Sequence, residues 1–256
     1  MVPRSGVRIV IENLWAGYSR NRAVLRGVSA EINGPTVVGI VGPNGSGKTT
    51  LLRCLAGILK PLRGRVAING VDMAHVSGRA RARIVSYVPQ RDPVCGLRII
   101  EYVSMGLLPR GLYGSRESEE RALECLRILG IEHLAERRLS EVSGGELRLA
   151  SIARALAQNT PVILLDEPLE SLDPSNRARL VETIKRLRDE GKTIVLTIHS
   201  VAEALPLCDL IMGLRNGELI FFKESKSVTE HDLEAVYGVE MRIVEVNGKR
   251  IAIPIT

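Results

Sequence analysis

The sequence predicts an α/β fold built on a mostly parallel sheet. Short apolar runs such as Val162-Ile163-Leu164-Leu165 and Thr193-Ile194-Val195-Leu196-Thr197 have the composition of strands buried on both faces. Helix-period segments alternate with them, the order that builds parallel βαβ units. Aromatic residues make up only 3% of the chain, so the core is aliphatic, which suits such a sheet.

Residues 7–14 alternate apolar and polar and read as an edge strand, and 24–32 form a second such segment ending at the Asn33-Gly34 turn. Residues 36–41 are a β-rich run that enters a glycine-rich loop directly. Residues 49–59 then have the apolar spacing of a helix, closed by Gly57 and Pro61. Residues 65–68, the Asn69-Gly70 turn and residues 84–88 give two further strands. Arg79, Arg81 and Arg83 alternate with small or apolar residues, as on a solvated strand face, and Arg137-Arg138 reads as a solvated turn.

From residue 99 to 139 the pattern is helical. Residues 117–129 are amphipathic, with Ala122, Leu126 and Leu129 on one face and Gly130 as the stop. Residues 146–158 form a helix after Ser143, its N-cap. Strand 162–165 ends in Asp166-Glu167, residues 177–189 are helical, and strand 193–197 leads to His199. Residues 210–214 and 219–222 flank the Arg215-Asn216-Gly217 turn as a hairpin. Beyond it the chain reads either as a small regulatory appendage or as a strand pair closing the domain.

At 256 residues the chain accommodates one α/β domain, or one domain with an inserted subdomain. No apolar run approaches the about 20 residues needed to span a bilayer. The start, Met1-Val2-Pro3-Arg4-Ser5-Gly6, lacks the apolar region of a signal peptide, so a cytosolic chain is expected, with any membrane role held through a partner. The net charge of +6 suits a polyanion, but the basic residues are dispersed and form no nucleic-acid stripe. Nucleic acid is not an expected partner. Cys54, Cys95, Cys125 and Cys208 have no C-x-x-C spacing and read as buried free thiols.

Gly42-Pro43-Asn44-Gly45-Ser46-Gly47-Lys48-Thr49 matches the P-loop pattern G-x-x-x-x-G-K-[ST] in full, after a strand and before the helix that Thr50 enters. Its glycines turn backbone N–H groups onto phosphates where a Cβ would obstruct the approach. Lys48 offers a point charge to the β/γ-phosphates, and the Thr49 hydroxyl a ligand to Mg²⁺. Asp166 and Glu167 end a buried strand, the place where α/β sheets bind ligands. Asp166 is placed to hold the Mg²⁺ shell, and Glu167 to take a proton from the water that attacks the γ-phosphate. His199 ends a neighbouring strand, Gln90 follows another, and Tyr18 is an aromatic placed to stack on a base. Ser143-Gly144-Gly145-Glu146 is a second glycine-rich turn at the head of a helix, with backbone donors for another anion.

With Tyr18, Gly42–Thr49, Gln90, Ser143–Glu146, Asp166-Glu167, Asp173 and His199 in this order, the chain resembles the ATP-binding subunits of ABC transporters from about residue 7 to 222. The resemblance implies a P-loop NTPase with a RecA-type core, an N-terminal antiparallel β subdomain and an inserted α-helical subdomain. Residues 7–91 and 159–222 would form the core with its β subdomain, 92–158 the helical subdomain carrying the signature, and 223–256 a C-terminal β extension. Tyr18 would stack on adenine. Gln90 would be the Q-loop residue, sensing the γ-phosphate through Mg²⁺ and water. Asp166 would reach that ion through water.

By the same resemblance Ser143-Gly144-Gly145-Glu146 is the family signature, with valine at 142 where leucine is usual and glutamate at 146 as a common variant. Ser171-Leu172-Asp173 is the D-loop and His199 the switch histidine. The chain departs from the family at Leu147-Arg148-Leu149, where Arg-Gln-Arg is frequent. The implied mechanism pairs two copies head to tail around two MgATP, each between Lys48 of one copy and Ser143–Gly145 of the other. The other implied partners are integral membrane permease subunits and, indirectly, an extracytoplasmic substrate-binding protein, with the chain peripheral on the inner membrane face.

Gln158-Asn159-Thr160-Pro161 and the tail from Val236-Tyr237-Gly238-Val239 through Asn247-Gly248-Lys249 to Ile253-Pro254 are similar to importers of iron–siderophore complexes, haem or cobalamin. Tyr87-Val88-Pro89-Gln90-Arg91 and Val103-Ser104-Met105-Gly106 are similar to zinc and manganese importers, the alternative reading, with a non-transport ABC ATPase as a further one.

Overall fold

A computed structural model describes residues 6–19, 22–91 and 96–255 of the chain. Residues 1–5 and Cys95, which entered the expectations above, lie outside the described residues. Six strands form the central sheet: β3 (Thr36–Val41), β6 (Val85–Val88), β7 (Val162–Leu165), β8 (Thr193–Thr197), β9 (Leu210–Arg215) and β10 (Glu218–Glu224). Their order is β10-β9-β3-β8-β7-β6, parallel throughout except for the β9–β10 hairpin. Strands β3, β7 and β8 are buried at every position, as their apolar runs predict.

A second, antiparallel sheet contains β1 (Arg8–Ala16), β2 (Leu25–Asn33), β4 (Arg63–Ile68) and β5 (Val71–Asp72), in the order β2-β1-β4-β5. The expectation of an edge strand over 7–14 is therefore corrected, because β1 lies between β2 and β4. Its alternation arises from one solvated face, which says nothing about neighbours in the sheet.

Helix α1 (Lys48–Leu55) is sandwiched between the two sheets, sharing one apolar core with Ile9, Ile11 and Val66 on one side and Val38, Ile40 and Val195 on the other. Leu51, Leu52 and Leu55 are almost completely removed from water, and each such burial contributes roughly 1.5–3 kcal/mol. This helix stops before residue 59. Gly57 has a φ of 65°, and a Cβ there would lie 2.4 Å from the Met73 carbonyl oxygen.

The segment with Arg79, Arg81 and Arg83 is a helix, α2 (Gly78–Ile84), not a strand face. Ser77 caps it, accepting from the Ala80 N–H at 3.4 Å, and no residue of it is buried. One turn apart, Arg79 and Arg83 both donate to the Pro109 carbonyl at 3.3 Å, while Arg81 donates to that of Gly57 at 2.7 Å.

The other face of the central sheet carries α3 (Ile99–Ser104), α4 (Arg116–Ile128), α5 (Gly144–Ala157) and α6 (Pro174–Asp189) around a second core. In α4 the predicted face is buried, and Gly130 follows with a φ of 69°. The last residues are not strand throughout. The helices α7 (Val201–Leu207) and α8 (Glu230–Tyr237) accompany the hairpin β11 (Met241–Val246)–β12 (Lys249–Pro254), whose Met241 and Ala252 join the second core. Cys54, Cys125 and Cys208 are buried free thiols. Among the described residues no helix is long and apolar enough to cross a membrane.

Candidate nucleotide-binding and hydrolysis site

The parallel strands end at one level. Val88 is opposite Leu165, Leu165 opposite Leu196, and Ile40 opposite Thr197. The loop after β3, Gln90 after β6, Asp166-Glu167 after β7 and His199 after β8 therefore emerge side by side at the carboxyl edge, where α/β sheets hold ligands. A cleft of about 570 Å³ opens there, lined by Tyr18, Val24, residues 44–50, Gln90, Glu167, Glu170 and His199. A larger cavity of about 720 Å³ lies at the amino ends of β3 and β9, beside Pro35, Cys208 and Arg250, and holds none of these groups. Chemistry, not size, selects the first.

The loop owes its shape to its glycines. Gly42 has a φ of 148° and Gly47 a φ of 106°. A Cβ would stand 2.1 Å from the Leu214 carbonyl oxygen at Gly42 and 2.6 Å from Leu25 at Gly47. Lys48 Nζ turns into the loop and donates to the carbonyls of Gly42 at 2.8 Å and Pro43 at 3.2 Å. Burial lowers its pKa, while the charges of Glu167, Asp166 and Glu170 oppose that shift. Ser46 Oγ is buried in the same loop without a hydrogen-bond partner, an orphaned polar atom that an incoming anion suits.

Asp166 is fully buried. Its Oδ1 accepts from Thr197 Oγ1 at 2.7 Å and Thr49 Oγ1 at 3.1 Å, and its Oδ2 accepts from the Tyr87 hydroxyl at 3.3 Å. Burial and the Asp166 charge push the Tyr87 hydroxyl up to about 12, which keeps it a donor. Arg53 donates to the Tyr18 hydroxyl at 3.0 Å and lies 5.6 Å from the centre of its ring. The Tyr18 side chain is thereby steadied from one side although the residue is 59% exposed.

Glu167 has a φ of 50°, a left-handed conformation that costs a residue with a Cβ about 1–2 kcal/mol. Its N–H donates to Thr197 Oγ1 at 2.8 Å, and its Oε2 accepts from Gln90 Nε2 at 2.5 Å. Burial, then the charge of and hydrogen bond to Glu170, then Asp166 raise its pKa, with Lys48 acting against them. His199 lines the cleft beside Glu167 and Glu170 and is exposed.

Ser143–Glu146 and Ser171–Asp173 do not line this cleft; they meet each other. A Cβ at Gly145 would lie 2.9 Å from the Ser171 carbonyl oxygen, and Ser171 has a φ of 63°. The helix α5 begins at Gly144, two residues before the expected start. Ser143 and Glu146 form a reciprocal cap, with the Glu146 carboxylate accepting from the Ser143 N–H and hydroxyl, each at 2.8 Å. Those bonds hold the Glu146 pKa down. Gly144 and Gly145 keep first-turn N–H groups that have no intrahelical acceptor. Asp173 caps α6 through Ser175 and Asn176, which hold its carboxyl down to about 2.

Sequence reading gave no role to Arg53, Tyr87, Arg148, Glu170 or Thr197, although Arg148 stands in the Leu147-Arg148-Leu149 departure and Tyr87 in the stretch leading to Gln90. For Glu170, its place three residues after Glu167 was the available signal. For the others the contacts span long stretches of chain and leave no local trace.

A profile of the ABC transporter family matches residues 25–170. A phosphonates import ATP-binding protein of Fusobacterium nucleatum is 35% identical over 90% of this chain and 97% of its own. A second protein of that name, from Oceanobacillus iheyensis, is 32% identical over 91% and 96%. Among solved structures, a dimeric ATP-binding cassette in a post-hydrolysis state with ADP and Pi superposes with a TM-score of 0.79 at 28% identity, covering 86% of this chain and all of its own. An inward-facing ABC transporter described as of metal-chelate type shares the fold over 98% of each chain, with a TM-score of 0.82 at 24% identity. The chain belongs to the ABC transporter family and is an ATP-binding subunit, an ATPase coupled to transport.

Proposed function

We propose that this chain energises import of a metal chelate such as iron–siderophore, haem or cobalamin, through a permease that holds it on the inner face of the membrane. The observation that carries the mechanism is the division of motifs. Lys48, Gln90, Glu167 and His199 line one cleft, with Asp166 buried behind Thr49, while Ser143–Gly145 sit apart from it against Ser171. Two copies head to tail bring the unused first-turn N–H groups of one signature onto the γ-phosphate bound by the other. Tyr18 stacks on adenine, the N–H groups from Asn44 to Thr50 cradle the phosphates, and Lys48 leaves its carbonyl partners for them. In this reading residues 92–158 form the helical unit that the Gln90 loop links to the permease.

The oxygen donors of Thr49 and Asp166, 3.1 Å apart beside Gln90, fit a Mg²⁺ ion, a hard cation held by few protein oxygens. Bound there, Mg²⁺ would neutralise phosphate charge. Glu167 takes the proton of the attacking water, and His199 contacts the γ-phosphate from the next strand.

A base must be unprotonated to act. With the Glu167 pKa raised in the free chain, the acid limb of kcat/KM is expected above the ordinary value of a glutamate. Glu170→Gln removes a neighbouring charge and should move that limb to lower pH; an unmoved limb in a pH–rate profile would remove Glu170 from this role. For stability the sign is opposite. Folding raises this pKa, so the contribution is present at low pH and lost as pH rises through the raised value.

The metal-chelate reading rests on the likeness of the tail from Val236 to Pro254, and the phosphonate importers make phosphonate import the second reading. Purifying the chain with its permease and reconstituting both in vesicles decides between them. ATP hydrolysis stimulated by a binding protein loaded with ferric siderophore is the expected result. Stimulation by a phosphonate-loaded binding protein alone would overturn it.

A further inference from the structure

We propose that Arg148 is a positioning residue that locks the Asp166–Glu167 peptide and couples it to the helix headed by Ser143. The inference rests on the role given above to Glu167. Arg148 lies in the second turn of α5 and is only 3% exposed. A guanidinium buried that deeply requires good acceptors. It donates through Nη1 to the carbonyl of Pro89, the residue before Gln90, and through Nη2 to the carbonyl of Asp166.

The second bond matters because of what the other end of that peptide does. The Asp166 carbonyl and the Glu167 N–H belong to one planar unit. The N–H donates to Thr197 Oγ1 at 2.8 Å, so the peptide is gripped at both ends, by α5 on one side and β8 on the other. Its orientation sets the φ of Glu167, which is 50°. A left-handed backbone at a residue with a Cβ persists only where the surroundings hold it. The clamp therefore keeps Glu167 aimed at the cleft, where its carboxylate meets Gln90 at 2.5 Å.

Through Pro89 the same side chain holds the backbone next to Gln90. A displacement of α5 is thus passed to Gln90 and Glu167 together. One planar fork with two diverging donors does this, and the single ammonium of lysine does not. The chain's departure from Arg-Gln-Arg at Leu147-Arg148-Leu149 acquires a purpose: Leu147 and Leu149 are buried beside it in the second core, and the arginine stands between them.

The test compares the full-length wild-type chain with Arg148→Lys, Thr197→Val and the double variant. It uses hydrogen exchange across residues 162–170, ATP titration and steady-state hydrolysis. In Arg148→Lys we expect exchange of the Glu167 amide and loss of kcat both to change by about tenfold or more, with ATP affinity within about threefold, as for losing one bond to a charged donor. In the double variant the kcat losses should fall short of their product, because both act on one peptide. Unchanged exchange in a folded Arg148→Lys protein, or fully multiplicative losses, overturns the proposal. Should the lysine variant fail to fold, Arg148→Gln, which buries no charge, carries the same expectations and the same overturning results. Glu167→Gln serves as the separate control. If it hydrolyses ATP normally, the reading of Glu167 fails while the exchange result still decides the clamp.

Discussion

Glu167→Gln is expected to stop turnover and leave ATP binding intact, with kcat falling by about 10²–10⁴-fold, the range over which a positioned general base acts. The amide keeps the shape of the carboxylate but does not accept a proton from the attacking water. It also removes a negative charge from a cleft that must receive phosphate, next to Asp166 and Glu170. Binding of ATP and pairing of two copies around it should then outlast hydrolysis. Size-exclusion chromatography with ATP and Mg²⁺ should show a dimer of the variant where the wild-type chain is monomeric. A Glu167→Gln protein hydrolysing at the wild-type rate would remove Glu167 from the reaction.

Lys48→Ala should weaken ATP binding by about 10–100-fold, the worth of a hydrogen bond to a charged group. Its ammonium is already poised inside the loop on the carbonyls of Gly42 and Pro43, so little rearrangement separates the free and bound positions. The substitution also leaves those two carbonyls without that donor and loosens the loop. Isothermal titration measures the effect, and normal ATP affinity in the variant would count against the phosphate-binding role of residues 42–49.

How much was legible depended on whether a feature is contiguous in sequence. The P-loop was, because strand, glycine turn and helix occupy one short stretch and the turn has no other easy conformation. Strands β3, β7 and β8 were, because burial on both faces leaves unbroken apolar runs. Position within a sheet was not. The alternation of β1 records one wet face and is the same for an edge strand as for an inner one. The arginines of α2 were misread because an every-second-residue spacing also fits a short exposed helix, and here the reward for helix is a carbonyl of Pro109, distant in sequence. Helix α8 had a readable start, since Thr229 and Asp232 form a reciprocal cap of the expected spacing.

By itself the sequence determined that this protein binds a nucleoside triphosphate, that a carboxylate pair ends a buried strand, and that a second glycine-rich turn heads a helix between them. Each is a local pattern whose chemistry follows from residue type and spacing. The tertiary structure decided how these groups are arranged, because parallel register brings Gln90, Asp166, Glu167 and His199 to one edge from far apart in the chain, with Asp166 buried behind the cleft wall. It also decided that Glu170 raises the Glu167 pKa, that the signature sits against Ser171 outside its own chain's cleft, and that Arg148 and Thr197 grip one peptide. These depend on distances of a few ångströms between segments, which packing sets and spacing does not.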